Sequence, residues 1–418
     1  MRKEYLNKWY KLDNAAKIFS LDDTDNTNIF RYSVILKQEI DKEILKKAVE
    51  TTLKYYPKFK VKIRMGLFWN YLEYNPKEII IKEEDEIPCQ HIDFRKNNDY
   101  LFKVTYYKEK INLDIFHILT DGAGGIKLLK SIIYNYLNIK YNLPYKDEIN
   151  NTNLNYEDQY LKNYDKSIKG YNNHNKAYQL PGKINKNINS TYHYTIDIKY
   201  LKKICKNYNV TITEYLVALY IYAIYLSMYE NKKKEEIIVS VPIDLRKYYK
   251  VDTLSNFFAC MNINSKITGK SIVTFDEVLA QVHKEFDEKL EVSNVKGYLT
   301  RDVKLGTNIP IRLIPLFLKR VVIKCLAKSI NKTSTTTLSN VGIIDIDSKY
   351  KKYIDNILVL VIPNKNQKIK CTICSYNNKL NITINSNVDD LEFHNRFYRL
   401  LQTKIKKFKF ESNNNDLE

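Results

Sequence analysis

Between Leu101 and Leu137 the apolar residues change their spacing once. In LFKVTYYKEKINLDI (101–115) they alternate, as on a half-buried strand. In IKLLKSIIYNYL (126–137) they recur every third or fourth position, as on a helix. The junction, Phe116 to Gly125, reads FHILTDGAGG. The pattern predicts a strand ending at His117, a tight turn at Asp121 and Gly122, and a helix after Gly125. It sets one imidazole on a rigid strand end, where a general base is well placed to meet a substrate.

The 418 residues are too many for one ordinary core and suit two domains of about 200 residues. A chain that is 44% hydrophobic has material for both cores, and 10 Gly with 9 Pro leave little for linkers. The net charge is +20, but the lysines are spread along the chain among Asn, Ile and 35 Tyr. That is compositional bias rather than the basic stripe of a nucleic-acid reader, so no nucleic-acid partner is expected. The start, MRKEYLNKWYKLDNAAK, holds no apolar leader segment, and we expect a reducing cytoplasm with free thiols. Cys371 and Cys374 form a CxxC inside KIKCTICSY, which reads as a strand. Their side chains then point to opposite faces, so no metal site is expected. The run Tyr215–Tyr229 is too short to span a bilayer and reads as a buried core helix, with Thr213 as cap.

Strands are expected at 31–36, on either side of a turn at Met65 and Gly66, at 79–81 and at 100–107, with a helix over 41–54 capped by Asp41. Residues 138–190 are polar and weakly periodic. The domains are therefore 1–150, a crossover over 151–190, and 191–418. The second part reads as strand 191–198, helix 200–208, the buried helix, and EEIIVSVPIDLRKYY as a strand ending in a proline turn. A strand at LSNFFACMNINSKI and a helix over 275–290 follow. Then come four strands within 333–386 and a closing helix over 389–408, capped by Asp389 or Asp390. Residues 309–330 (IPIRLIPLFLKRVVIKCLAKSI) are apolar and basic. We read them as a helix facing the core with lysines reaching to water, in preference to a membrane or carrier surface.

His117 is the candidate base. A buried Asp121 needs a cation, and Arg246 in PIDLR is the choice. His91, His174, His193, His283 and His394 sit in polar or helical surroundings and read as surface or capping residues. HILTDG resembles the HxxxDG motif of the coenzyme-A-dependent acyltransferase superfamily, which includes chloramphenicol acetyltransferase and condensation domains. WYKLDNAAKIF, YYPKFKVKIRMGLFWNYLE, VPIDLRKYYKVDTLSNFF and TTTLSNVG are similar to the bacterial alcohol-acetyltransferase branch, in order, over residues 9–342.

That resemblance implies an α/β (α+β) fold of two chloramphenicol-acetyltransferase-like sandwich halves, with mixed, mostly antiparallel sheets and a tunnel between them. It implies His117 as catalytic histidine, Asp121 as structural aspartate, Gly122 as turn glycine and Arg246 as partner of Asp121. Ser339 and Asn340 would line the tunnel. Thr337 or Ser339 would serve the oxyanion on a polar strand face, and Asn256 reads as a tunnel or turn residue. Phe116 stands where condensation domains and wax ester synthases carry a second histidine, which favours a stand-alone acetyltransferase, and the DFGWG motif of the BAHD branch is absent, which argues against that branch. The implied reaction moves a short acyl group from an acyl-CoA or acyl-carrier-protein thioester to a small alcohol or amine acceptor. It would take place in a monomer with no bound cofactor, no metal and no membrane span. The alternatives are lipid, polyketide or peptide-synthetase-type acylation from a carrier-bound donor, and a non-catalytic protein that binds acylated carriers.

Overall fold

The alternating segments do form strands. The computed structural model describes residues 9–21, 27–144, 155–171, 176–185, 189–229, 234–268, 272–322 and 333–414. The first-half strands are β1 (Trp9–Lys11), β2 (Ile29–Leu36), β3 (Val61–Arg64), β4 (Tyr71–Tyr74), β5 (Ile81–Glu83), β6 (Phe102–Tyr107) and β7 (Lys110–Phe116). The second-half strands are β8 (Ser190–Asp197), β9 (Ile238–Asp244), β10 (Phe258–Asn264), β11 (Thr336–Ile343), β12 (Ile354–Val361), β13 (Ile369–Tyr376), β14 (Lys379–Ser386) and β15 (Lys409–Ser412).

These strands make three sheets, ordered β12-β2-β7-β6-β5, β10-β9-β11-β13-β14-β8-β15 and β1-β4-β3. Antiparallel pairings dominate; β5–β6, β9–β11 and β11–β13 are parallel. The architecture is mixed α/β, as expected. Helices Lys42–Tyr55 and Gly122–Tyr141 lay Leu45, Val49, Leu128 and Ile132 on the five-stranded sheet, which forms one core. Helices Ile212–Tyr229, Phe275–Lys289 and Glu392–Lys404 cover the seven-stranded sheet and form the other. Cys371 joins that second core and Cys374 the first, so β13 does present them on opposite faces. The five-stranded sheet takes its edge strand β12 from residues 354–361, antiparallel to β2, so the later part of the chain completes the first sheet.

Several local details differ from the sequence reading. Helix Gly122–Tyr141 begins at Gly122 rather than after Gly125, and Asp121 is its N-cap, accepting the Gly124 N–H at 3.2 Å. The turn lies earlier, closed by Leu119 N–H to Phe116 C=O. Helix Ile212–Tyr229 is capped by Thr211, whose hydroxyl accepts the Glu214 N–H, and not by Thr213. This helix is long and apolar enough to cross a membrane, yet 72% of it is buried inside the fold.

Pro242 sits within β9, paired with Cys260. The closing helix ends at Lys404, because Lys406 has φ +67°, and the chain then adds β15, which its lysines and short length concealed. His394 is buried rather than exposed. Its ring lies 4.0 Å from Tyr192, and burial lowers its pKa to about 3. The expected core-facing helix at 309–330 is corrected for its described part. Ile309, Leu313, Phe317 and Val321 are 68%, 67%, 68% and 61% exposed. Residues 323–330 lie outside the described residues, as do His174 and parts of the 151–190 crossover.

Only glycine fits at position 124. A Cβ there would sit 1.9 Å from Thr120 Oγ1 and 2.9 Å from the Leu254 carbonyl oxygen. At Gly122 the nearest atom would be Tyr32 Oη at 3.3 Å. Gly124→Ala should therefore cost about 3 kcal/mol by overpacking, and Gly122→Ala much less. Urea unfolding midpoints of the two variants check this order; equal midpoints would refute it.

Candidate active site

His117 is the residue immediately after β7, and its N–H bonds to Asn28 C=O at 2.9 Å. Its ring is half-buried between Phe19, Phe30 and Phe258, with centroids at 4.6, 5.0 and 5.4 Å. Phe116 faces the other way, onto Phe94 and the Ile29–Cys89–Leu360 cluster. The missing second histidine thus lies on the side away from the His117 ring.

Nδ1 of His117 lies 2.9 Å from Asn256 Oδ1. The amide of Asn256 cannot be turned round, because its Nδ2 donates to Asp13 Oδ2 at 3.0 Å and to His117 C=O at 3.0 Å. Both are acceptors, so the Oδ1 end must face the ring, and Nδ1 must carry the proton. Nε2 is left with a lone pair. Asp13 also caps helix Asn14–Phe19, which carries Phe19, and accepts the Asn256 N–H at 3.1 Å.

Burial pushes the Asp13 carboxyl above its usual range, against the pull of Lys58. Burial likewise lowers the Lys58 ammonium, which bonds to Ser255 Oγ. Desolvation by the surrounding rings lowers the His117 pKa, with the field of Asp121 and the Asn256 bond opposing. The ring is therefore neutral at neutral pH.

Asp121 stands behind this arrangement. Arg246 grips it with both guanidinium nitrogens, Nη1 to Oδ2 at 2.9 Å and Nη2 to Oδ1 at 3.0 Å. The Phe257 N–H adds a bond of 2.8 Å to the same carboxylate. Arg246 also donates to Asp244 and to the Thr253 and Ser255 carbonyls, which fixes the loop that presents Asn256. The field of Asp121 raises the Arg246 pKa, overcoming a burial cost that is the largest single influence.

In front of His117 lies a cavity of about 240 Å³. Phe19, Phe30, Tyr32 and Gly122 line one side, and Thr337, Ser339 and Val341 of β11 line the other, with Val359 and Thr372. Alternation along β11 decides the rest. Asn340 faces away from the cavity and donates to Thr213 Oγ1 at 2.8 Å, so it does not line it. Asn256 does not line it either, but lies behind the histidine. Thr337 Oγ1 donates to Gln367 Oε1 at 2.9 Å. Ser339 makes no side-chain hydrogen bond among the described residues, which leaves its hydroxyl for a ligand. Asp13, Lys58 and Tyr32 were not singled out by sequence. Asp13 carries a helix-cap signal, which accounts for half of what it does, whereas a lysine buried by folding leaves no local trace.

No protein-family model and no curated protein matches this sequence. Solved structures match its fold over nearly the whole chain. One is polyketide synthase associated protein 5 from Mycobacterium tuberculosis, at TM-score 0.64 and 12% identity, covering 97% of this chain and 100% of the other. Another is Fusarium graminearum TRI101 complexed with coenzyme A and deoxynivalenol, at TM-score 0.66 and 10% identity, covering 96% and 99%. A third is the starter condensation domain of rhizomide synthetase RzmA with C8-CoA, at TM-score 0.63 and 11% identity, covering 96% and 95%. The chain thus shares its fold with proteins solved in complex with coenzyme A and with a condensation domain.

Two measurements probe the site directly. Arg246→Ala leaves the Asp121 charge buried and should destabilise by about 3–5 kcal/mol, with Asp121→Asn/Arg246→Ala less damaging than the sum of the single changes. NMR titration of the histidine nitrogens should show His117 as the Nδ1–H tautomer with a pKa below the ordinary value of about 6.5. Phe19→Ala, by admitting water, should raise that pKa, and Asn256→Ala should lower it further. The opposite signs would overturn the stated causes.

Proposed function

We propose that this protein is an acyltransferase. It moves a short acyl group from a CoA or carrier-protein thioester to an alcohol or amine, with His117 as general base. The observation that carries this reading is the locked tautomer: Nδ1 is held by an amide that Asp13 orients, and Nε2 is left as the acceptor beside a cavity in an acyltransferase-like fold.

In this reaction Nε2 removes the proton of the acceptor hydroxyl or amine as its oxygen or nitrogen attacks the thioester carbonyl. The tetrahedral oxyanion is stabilised by Ser339 Oγ, a better donor than Thr337, which is engaged with Gln367. Collapse expels the thiolate, which takes the proton from the imidazolium. No acyl-enzyme forms. The lowered His117 pKa keeps the base competent through neutral pH, so activity should fall only on the acid side of the ordinary imidazole value. The cavity lies below the ~300–1,000 Å³ of sites for drug-sized ligands, which favours a small acyl group.

The test is thiol release from acetyl-, butyryl- and octanoyl-CoA with a panel of alcohols and amines, repeated with an acylated carrier protein. Acceptor-dependent release should fall about a hundredfold or more in a folded His117→Ala variant. Ser339→Ala should lower kcat by about a hundredfold with little change in KM. Equal turnover by His117→Ala and the unaltered chain would remove His117 from the mechanism.

A further inference from the structure

The apolar residues that the 309–322 segment fails to bury collect on one surface. Lys319 determines this. It is fully buried, its Nζ bonds to the Phe68 carbonyl at 2.7 Å and lies 3.7 Å from the Trp69 ring centre. Leu316, also buried, donates its N–H to the Leu67 carbonyl at 2.8 Å. These contacts staple the segment to the β3–β4 hairpin through its polar atoms and turn its apolar side chains outward. Leu313 (67% exposed), Phe317 (68%) and Val321 (61%) then join Met65 (68%) and Leu67 (70%) of the hairpin tip.

The surroundings are basic. Residues 60–69 and 303–322 contain Lys60, Lys62, Arg64, Lys304, Arg312, Lys319 and Arg320 and no acidic residue; Glu73, across the hairpin, pairs with Lys62 and Arg64, which leaves Lys304, Arg312 and Arg320 as the main charges beside the apolar side chains. Arg64, Lys304, Arg312 and Arg320 are exposed. We infer that this patch docks the protein on an anionic membrane surface. The apolar side chains enter the headgroup boundary and the surrounding Lys and Arg meet lipid phosphates.

A protein partner fits less well. From Ile309 to Val322 only Arg312, Lys319 and Arg320 carry polar side chains, and Lys319 is turned inward. The patch therefore offers few of the hydrogen bonds that protein interfaces use. It is also joined to the cavity wall, since Asn70 Nδ2 bonds to the Ser20 carbonyl at 3.0 Å, next to Phe19. The inference does not depend on acyl transfer.

Sedimentation of the full chain with vesicles of phosphatidylcholine, alone or mixed with phosphatidylglycerol, tests it. Binding should be about tenfold or more stronger to the mixed vesicles and weaken at high salt. Leu313→Asp/Phe317→Asp and, independently, Leu67→Asp should each lower it about tenfold, with unchanged melting because these positions are exposed. Arg312→Glu/Arg320→Glu should abolish the preference for the anionic lipid. No binding of the unaltered chain to either vesicle, or undiminished binding by the aspartate variants, would overturn the inference. So would a dimer in sedimentation velocity that Leu313→Asp/Phe317→Asp converts to monomer, or a loss confined to binding of an acylated carrier protein.

Discussion

The Asp121 carboxylate ties together parts of the chain that are distant in sequence. It caps helix Gly122–Tyr141, receives both arms of Arg246 and takes the N–H of Phe257. Each bond has a structural consequence. The cap fixes where the helix starts, so His117 is carried on a strand end joined to that helix by one short turn. The fork positions Arg246, whose remaining donors hold the Thr253 and Ser255 carbonyls. The Phe257 bond sets the residue that follows Asn256. One buried carboxylate therefore places the histidine and the amide that orients it, although it touches neither side chain in a hydrogen bond of its own. Such a charge is tolerated inside the fold only because every lone-pair direction is met by a donor.

The part of this that shows in the sequence is the part that local chemistry dictates. Period-two and period-four spacing place β7 and the helix after it. A carboxylate at a buried junction calls for a cation, and Arg246 directly after an apolar strand is a natural source. The residues that orient His117 are hidden for a physical reason. Asn256 is 139 positions from His117 and 243 from Asp13, and a side-chain amide has no preference of its own that reveals a partner so far away. Asp13 caps a helix of only six residues, too short to stand out in the apolar pattern, and its second role exists only after the two sheets are assembled. The exposure of the 309–322 segment is hidden for a related reason. Apolar spacing shows that a helix has an apolar face, but not whether that face is covered, and here the buried Lys319 reverses the usual orientation.

The cavity itself follows from a parting of strands. β11 pairs with β9 only at Thr336–Val239 and Thr337–Ser240, then continues along β13 with a bulge between Asn340 and Gly342, where Gly342 has φ +84°. Two strands that separate inside a sheet leave backbone donors and acceptors unpaired, which is costly unless water or a ligand meets them. β9 reduces that cost. The Leu245 N–H bonds to Phe257 C=O, so odd positions of β9 bond toward β10 and even positions face β11. Pro242 occupies an even position just past the point of separation and has no N–H to leave unpaired. A residue that would weaken a continuous central strand is thus suited to the rim of an opening. The same opening brings Ser339 and Val341 of β11 to the cavity that His117 borders. The site is therefore built from an interrupted strand pairing on one lobe and a capped strand–helix junction on the other.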